Sequence, residues 1–529
     1  MKKSELGLAA LFLLLAGTVG WLLTWDAAEP APNTAAKKQT PTIDPITKSA
    51  VTKRRSPNLP AKSSAASLQD LLSKKNERVI RFDSQEDYER FLNSLKDSNV
   101  RLLGSIAPLK ALRIGYDNLS DLTGLLDEDL LSYNYQLFLP LPPTEGTIQP
   151  GAVGFKGNAL QWLGIDGDNS TWGAGITIAI IDSGILDHTA LPADIQRIDL
   201  ISNSPDSQTI NPHGTAVASL IAGQNNITPG VTPSATLLDV RVADGNGNSD
   251  SFTLAQGIIA AVDAGAEVLN ISMGSYLDSP ILSDAVQYAR DAGAVIVASP
   301  GNDGLETLAY PAGYSQATAI GAVDAEGNHI DFSNSGDTVD LTAPGLEVYA
   351  AWSEDRYIEF TGTSASAPYG SSAIAYAMSE YDLPAQAAEQ LVYDLANEAG
   401  LPGQDPLYGI GHLDVGRIQN HDTPGIYDLA AVSNIVTYNE SDTLYVVVQN
   451  QGTESLSNST VNVTTPTSEL TLTTPTLPPG ETHTLELAVT IPNSNEDTFI
   501  ETRVEINPAF QDNERSNNTK ITTIPPRDP

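Results

Sequence analysis

Ile176-Thr177-Ile178-Ala179-Ile180-Ile181-Asp182-Ser183-Gly184 is a nearly unbroken apolar run that ends in an acid and a turn. A strand with both faces apolar has to be covered on both sides, which is the condition of a parallel sheet held between layers of helices. The pattern recurs at Leu237 to Val242, Val268 to Met273 and Ala294 to Ala298, with helical stretches between. The span of about residues 150–418 therefore reads as a doubly wound α/β domain. In such a sheet, polar side chains that handle a ligand stand just past the carboxyl ends of the strands. Asp182 stands there.

Outward from this domain the chain is too long for one core: at roughly 150 residues per domain, 529 residues imply about three. With 41% hydrophobic and 18% charged residues the bulk of it is globular. The 28 Lys+Arg against 65 Asp+Glu leave a formal charge of −37, which would repel a phosphate backbone and excludes nucleic acid as a partner. There is no cysteine, so disulfides, thiol nucleophiles and Cys-ligated zinc are excluded.

Residues 1–28 carry Lys2 and Lys3 before an uncharged run from Leu6 to Leu23, the pattern of a signal peptide or membrane anchor, with an uncleaved anchor favoured. Export is implied: an extracytoplasmic protein, either membrane-anchored on the periplasmic or cell-surface side or secreted. Residues 29–76 are rich in Pro, Ala, Thr, Lys and Ser and read as a flexible linker. Residues 77–140 read as a small βαββαβ unit: a strand at Val79 to Phe82, a helix capped by Ser84 with Tyr88, Phe91, Leu92 and Leu95 on one face, strands at Val100 to Ile106 and Leu109 to Ile114, a short helix at Leu119 to Leu126, and a last strand at Tyr133 to Leu139. Beyond Asn420 the helical period gives way to alternation, as at Thr443 to Val448, Val461 to Thr464 and Thr484 to Thr490, so residues 424–525 read as an all-β sandwich.

Two further segments of the central domain join Asp182. His213 lies in Asn211-Pro212-His213-Gly214-Thr215 before a small-residue helix, and Ser364 lies in Thr361-Gly362-Thr363-Ser364-Ala365-Ser366-Ala367-Pro368 at the start of a long one. Singly, each is an ordinary turn or cap residue. Together, a buried acid, an imidazole and a helix-start hydroxyl are what nucleophilic acyl transfer needs. These motifs, in the order Asp, His, Ser, resemble the signatures of the subtilisin-like serine proteases, and Ala298-Ser299-Pro300-Gly301-Asn302-Asp303-Gly304 resembles that family's Gly-Asn loop. The wording around Ser364 is also similar to sedolisins, which use Glu and Asp where this chain has His213 and Asn302.

The resemblance implies a serine endopeptidase in which Ser364 attacks a peptide carbonyl, His213 moves the proton, Asp182 orients His213, and Asn302 donates to the oxyanion. It implies backbone binding of an extended peptide by Gly245-Asn246-Gly247 and Ser272-Met273-Gly274, with Ser299-Pro300-Gly301 as the far wall of a pocket to which Met273 lends an adaptable apolar lining. Protein or peptide substrates are the expected partners, with the membrane as a further one if the N-terminal helix stays uncleaved. No cofactor is expected in catalysis. Gln224 to Val231 is shorter than the calcium loop of well-known relatives, and no Asp stands at the matching place after Asp182, which leaves a structural calcium site undecided. Ala216 and Ala365 depart from the common His and Met of the family at positions of packing. Residues 77–140 resemble the family's inhibitory prosegment, which would make the chain a zymogen inhibited by its own N-terminal unit. The sandwich resembles CARDB-type adhesion modules through Val448-Gln449-Asn450-Gln451-Gly452-Thr453 and Leu477-Pro478-Pro479-Gly480. Rival readings are a catalytically silent surface scaffold that works through the sandwich and a narrow-specificity processing protease.

Overall fold

A computed structural model describes residues 69, 71–122, 130–143, 147–201, 208–438, 442–492 and 497–525. The expected signal or anchor segment and most of the linker lie outside the described residues. Among the described residues, no helix is long and apolar enough to cross a membrane. The last linker residues belong to the folded protein, because Leu72 is buried and Ser73 bridges to Tyr135.

The N-terminal unit is a four-stranded antiparallel sheet of β1 (Glu77–Arg81), β2 (Arg101–Ile106), β3 (Ala111–Gly115) and β4 (Leu131–Ser132), in the order β2-β3-β1-β4, with the helix α1 (Gln85–Ser94) against it. The Ser84 hydroxyl caps α1 by accepting from the Asp87 N–H at 3.0 Å. Strand alternation decides the rest. Ile80, Leu112 and Ile114 face Tyr88 and Phe91 of the helix, while Val79, Ile106 and Ala111 face a core shared with the next domain. Leu119–Leu122 forms a short 3₁₀ turn, and the remainder of the helix expected to Leu126 lies outside the described residues.

The run Tyr133 to Leu139 is not a strand of this sheet, as the sequence reading had it. Leu131–Ser132 takes that place, and the chain then departs as β5 (Gln136–Phe138) to pair antiparallel with β9 (Asn248–Asp250) of the following domain. Its alternation is real, since Tyr135, Leu137 and Leu139 are all buried, but Leu137 and Leu139 enter the core of the larger domain.

The central sheet comprises β6 (Thr177–Asp182), β7 (Gln196–Asp199), β8 (Thr236–Arg241), β10 (Val268–Ile271), β11 (Val295–Ala298), β12 (Ala317–Val323) and β13 (Leu341–Pro344), all parallel, in the order β13-β12-β11-β10-β6-β8-β7. Along β6, Ile178 and Ile180 enter one core with α2 (His213–Ala222), α5 (Thr363–Tyr381) and α6 (Ala385–Asp394), while Ala179 and Ile181 enter the other with α3 (Ser251–Asp263) and α4 (Pro280–Asp291). That double covering is why the strand is apolar on both faces. A hairpin of β14 (Val348–Ala351) and β15 (Tyr357–Phe360) leads into α5.

The C-terminal domain is a sandwich of β16 (Leu429–Tyr438), β17 (Asp442–Asn450) and β20 (Thr482–Ala488) against β18 (Thr460–Thr464), β19 (Glu469–Thr473), β21 (Thr498–Glu505) and β22 (Thr519–Ile524), around Leu444, Val446, Val448, Val461, Ile500 and Val504. It is joined to the α/β domain by buried polar contacts. The Gln449 side chain accepts from the Glu398 N–H at 3.0 Å and donates to the Ala396 carbonyl at 3.3 Å, and the Arg417 guanidinium donates to the Gln451 carbonyl at 3.1 Å.

Candidate active site

Asp182 is the last residue of β6 and is completely buried. One carboxylate oxygen accepts from the N–H and the hydroxyl of Ser183 at 2.7 and 2.8 Å, and both oxygens lie 3.0 Å from His213 Nδ1. His213 opens α2, its backbone N–H held by the Asn211 side chain at 3.1 Å. Gly214 allows this approach: a Cβ there would stand 2.6 Å from the Gly184 carbonyl. The far ring nitrogen, Nε2, is buried with no hydrogen-bond partner among the described residues, and the ring rests edge-on against Phe360.

Ser364 is the second residue of α5, 2% exposed, with its hydroxyl donating to the Ser272 carbonyl at 3.4 Å. The Asn302 side-chain oxygen accepts from the Thr363 N–H and from the Thr363 hydroxyl, each at 2.9 Å. This turns the Asn302 amide nitrogen into the cleft, where it lies 3.5 Å from the Leu141 carbonyl. Gly362 has φ 139°, and a Cβ on it would come within 2.7 Å of that nitrogen, so only glycine lets the helix start so near the Asn302 loop.

Two of the three expected peptide-binding segments line one cleft, and the third touches the chain beside it through Gly247. Met273, Gly274, Ser299 and Gly301 line it, and the chain after β5 lies within it. The Leu139 N–H donates to the Gly247 carbonyl at 2.9 Å, and the Phe138 N–H reaches the Gly274 carbonyl at 3.5 Å. The Asp244 carboxylate shapes the Gly245-Asn246-Gly247 loop by accepting from the N–H groups of Asn246 and Asn248, both at 2.9 Å. Met273 is 1% exposed and packs into the core while also lining the cleft, so it forms part of the apolar floor of the pocket. Ala216 and Ala365 are fully buried packing residues.

The sequence reading missed Asn334. This buried amide accepts from the N–H groups of Asp303 and Leu305 and donates to the Pro300 carbonyl and the Tyr276 hydroxyl, and so holds both sides of the loop that carries Asn302. Tyr276 in turn donates to the Asp303 carboxylate at 2.5 Å, and burial together with that carboxylate pushes its phenol well above the usual range. Asp239, on the strand beside β6, is pushed up to about 6 by burial, partly offset by the Ile185 N–H it accepts and by Arg197. Among the described residues there is no group of three or more His, Cys, Asp or Glu able to hold a metal ion.

A strand-end carboxylate on an imidazole, a helix-start hydroxyl and a cleft holding an extended chain agree with the comparisons to known proteins. The subtilase family model matches residues 173–411. The thermostable alkaline protease of Halalkalibacterium halodurans is 36% identical over 248 residues, covering 46% of this chain and 68% of that protein. Subtilisin Savinase of Lederbergia lenta is 36% identical over 242 residues, covering 45% of this chain and 88% of that protein. The crystal structure of fervidolysin from Fervidobacterium pennivorans, described as a keratinolytic enzyme related to subtilisin, shares the fold with a TM-score of 0.56 at 16% identity, over 87% of this chain and 92% of that one. The chain belongs to the subtilase family and is a serine-type endopeptidase.

Proposed function

We propose that the protein is an exported endopeptidase made as a zymogen, with Asp182, His213 and Ser364 as its triad and Asn302 as an oxyanion donor. The observation that carries the reading is the pair of 3.0 Å contacts from the Asp182 carboxylate to His213 Nδ1, which leave Nε2 as the working nitrogen. His213 takes the Ser364 proton as the hydroxyl adds to a peptide carbonyl, and Asp182 stabilises the imidazolium that forms. The developing oxyanion is met by the Asn302 amide, a donor worth about 3–4 kcal/mol in such sites. His213 then protonates the leaving amine, and water repeats the sequence on the acyl-enzyme. That the Ser364 hydroxyl rests on Ser272 fits a site at rest, since catalytic hydrogen bonds commonly tighten only with substrate in place.

In this reading residues 77–140 are the inhibitory prosegment, and the sandwich is a CARDB-like accessory module. No cofactor takes part in catalysis, and the substrates are proteins or peptides outside the cytoplasm. The test is a fluorophosphonate probe applied to purified protein. Labelling of Ser364, lost in Ser364→Ala along with conversion of the precursor to a shorter form, is the expected result. An unlabelled protein that stays full length in both forms would leave the silent scaffold standing.

A further inference from the structure

One contact of the chain after β5 singles out a peptide carbonyl of its own beside the Asn302 amide. Leu137 and Leu139 are buried, the Leu139 N–H is held by the Gly247 carbonyl, and the Leu139 side chain sits against Gly247, where a Cβ would stand 3.1 Å from it. Beyond this anchor, the carbonyl that the Asn302 amide addresses is that of Leu141, and Thr363 holds the amide in that direction. In this register Leu141 is on the acyl side and the next residue supplies the leaving nitrogen. That residue is Pro142, followed by Pro143.

We propose that Pro142 is a proline lock: the segment around residues 136–142 inhibits the enzyme in cis while presenting to Ser364 a bond the enzyme cuts poorly. The inference rests on the triad assigned above and deepens it. Cleavage would form a bond from Ser364 Oγ to the Leu141 carbonyl carbon, break the bond from that carbon to the Pro142 nitrogen, and pass the Ser364 proton through His213 to that nitrogen. On proline the nitrogen carries a ring methylene in place of hydrogen, in the space through which the proton must come. The ring also confines Leu141 to an extended conformation, and Pro143 does the same to Pro142, so the segment keeps the shape of a substrate and loses little entropy in being held. Maturation then has to use a different bond, and the inhibitory strand survives the enzyme's own attack.

The test uses the full chain, purified and refolded alone, as wild type, Pro142→Ala and Pro142→Ala/Ser364→Ala, with N-termini read by mass spectrometry over time. Pro142 is exposed, so the substitution leaves the fold intact. Pro142→Ala is expected to release a product beginning at position 142 at least about tenfold faster than wild type releases one beginning there, and the double variant to release none. A wild-type product beginning at Pro142, formed as fast as the variant's, would overturn the lock, as would an unchanged set of N-termini in Pro142→Ala. The fluorophosphonate probe separates the two levels of the argument. With Ser364 labelled and the N-termini unchanged, the lock alone falls; with Ser364 unlabelled throughout, the triad falls and the lock with it.

Discussion

Asn302 divides its amide between two tasks: the oxygen ties it to the first residue of α5, and the nitrogen is left for the cleft. Asn302→Leu removes the donor and is expected to lower kcat by about 100- to 1,000-fold with little change in KM, because the donor acts on charge present only in the transition state. A raised KM at unchanged kcat, measured on a chromogenic peptide, would refute that assignment. Asp239 gives a residue-scale prediction in pH. Its carboxyl stands at about 6 in the fold against an ordinary 3.8, so between those values the native state holds a proton that the unfolded chain has released. Stability contributed at this site is therefore greatest in acid and falls as pH rises through about 6. Asp239→Asn keeps an acceptor for the Ile185 N–H and abolishes the titration, so its melting temperature should gain on wild type between about pH 4 and pH 7. A constant difference across that range would show that Asp239 does not titrate there. Asp182, His213, Ser364 and Asn302 could be singled out in the sequence because each sits in a short motif and the motifs, ordinary one by one, together resemble a single family. Asn334 could not, because its role comes from four partners at positions 276, 300, 303 and 305, brought together only by the fold.

At the scale of elements, α3 begins where two parts of the chain meet. Asp250 caps it by accepting from the Thr253 N–H at 2.9 Å, and the same carboxylate pairs with Lys74 at 2.7 Å and Arg113 at 3.2 Å from the N-terminal unit. Those cations and the cap hold its carboxyl below the usual range in spite of burial. Asp250→Asn retains the cap and removes the charge, whereas Asp250→Ala removes both, so the alanine variant should be the less stable by about 1 kcal/mol in urea unfolding. Equal stabilities would mean that the cap contributes nothing beyond the ion pairs. The α/β strands were readable because burial on two faces writes itself into composition. The destination of β5 was not: alternation at Tyr135, Leu137 and Leu139 says that one face is buried and is silent about which sheet edge receives the strand.

At the scale of the molecule, the sandwich is more than an appendage. Truncation after Asn420 strips the Gln449 and Gln451 partners from Glu398, Ala396 and Arg417, at about 1 kcal/mol for each hydrogen bond lost. The shortened enzyme should melt roughly 5–10 °C lower and still hydrolyse a small peptide, because none of these contacts touches Asp182, His213 or Ser364. Loss of activity at a temperature where the truncated protein remains folded would mean that the sandwich shapes the cleft. The pairing of β5 with β9 has a further consequence when read as competition. A strand joined to its site by a short stretch of chain is present at an effective concentration in the millimolar range, at or above the roughly 1 μM to 1 mM at which substrates half-saturate enzymes. On the proposed reading, ordinary substrates cannot outcompete it, however modest its contacts. A single cut in the connecting chain ends that advantage, since the freed strand is then diluted into its surroundings and its hold depends on affinity alone. Covalent continuity, more than tightness of fit, would keep the enzyme silent until it reaches a volume large enough to carry its inhibitor away.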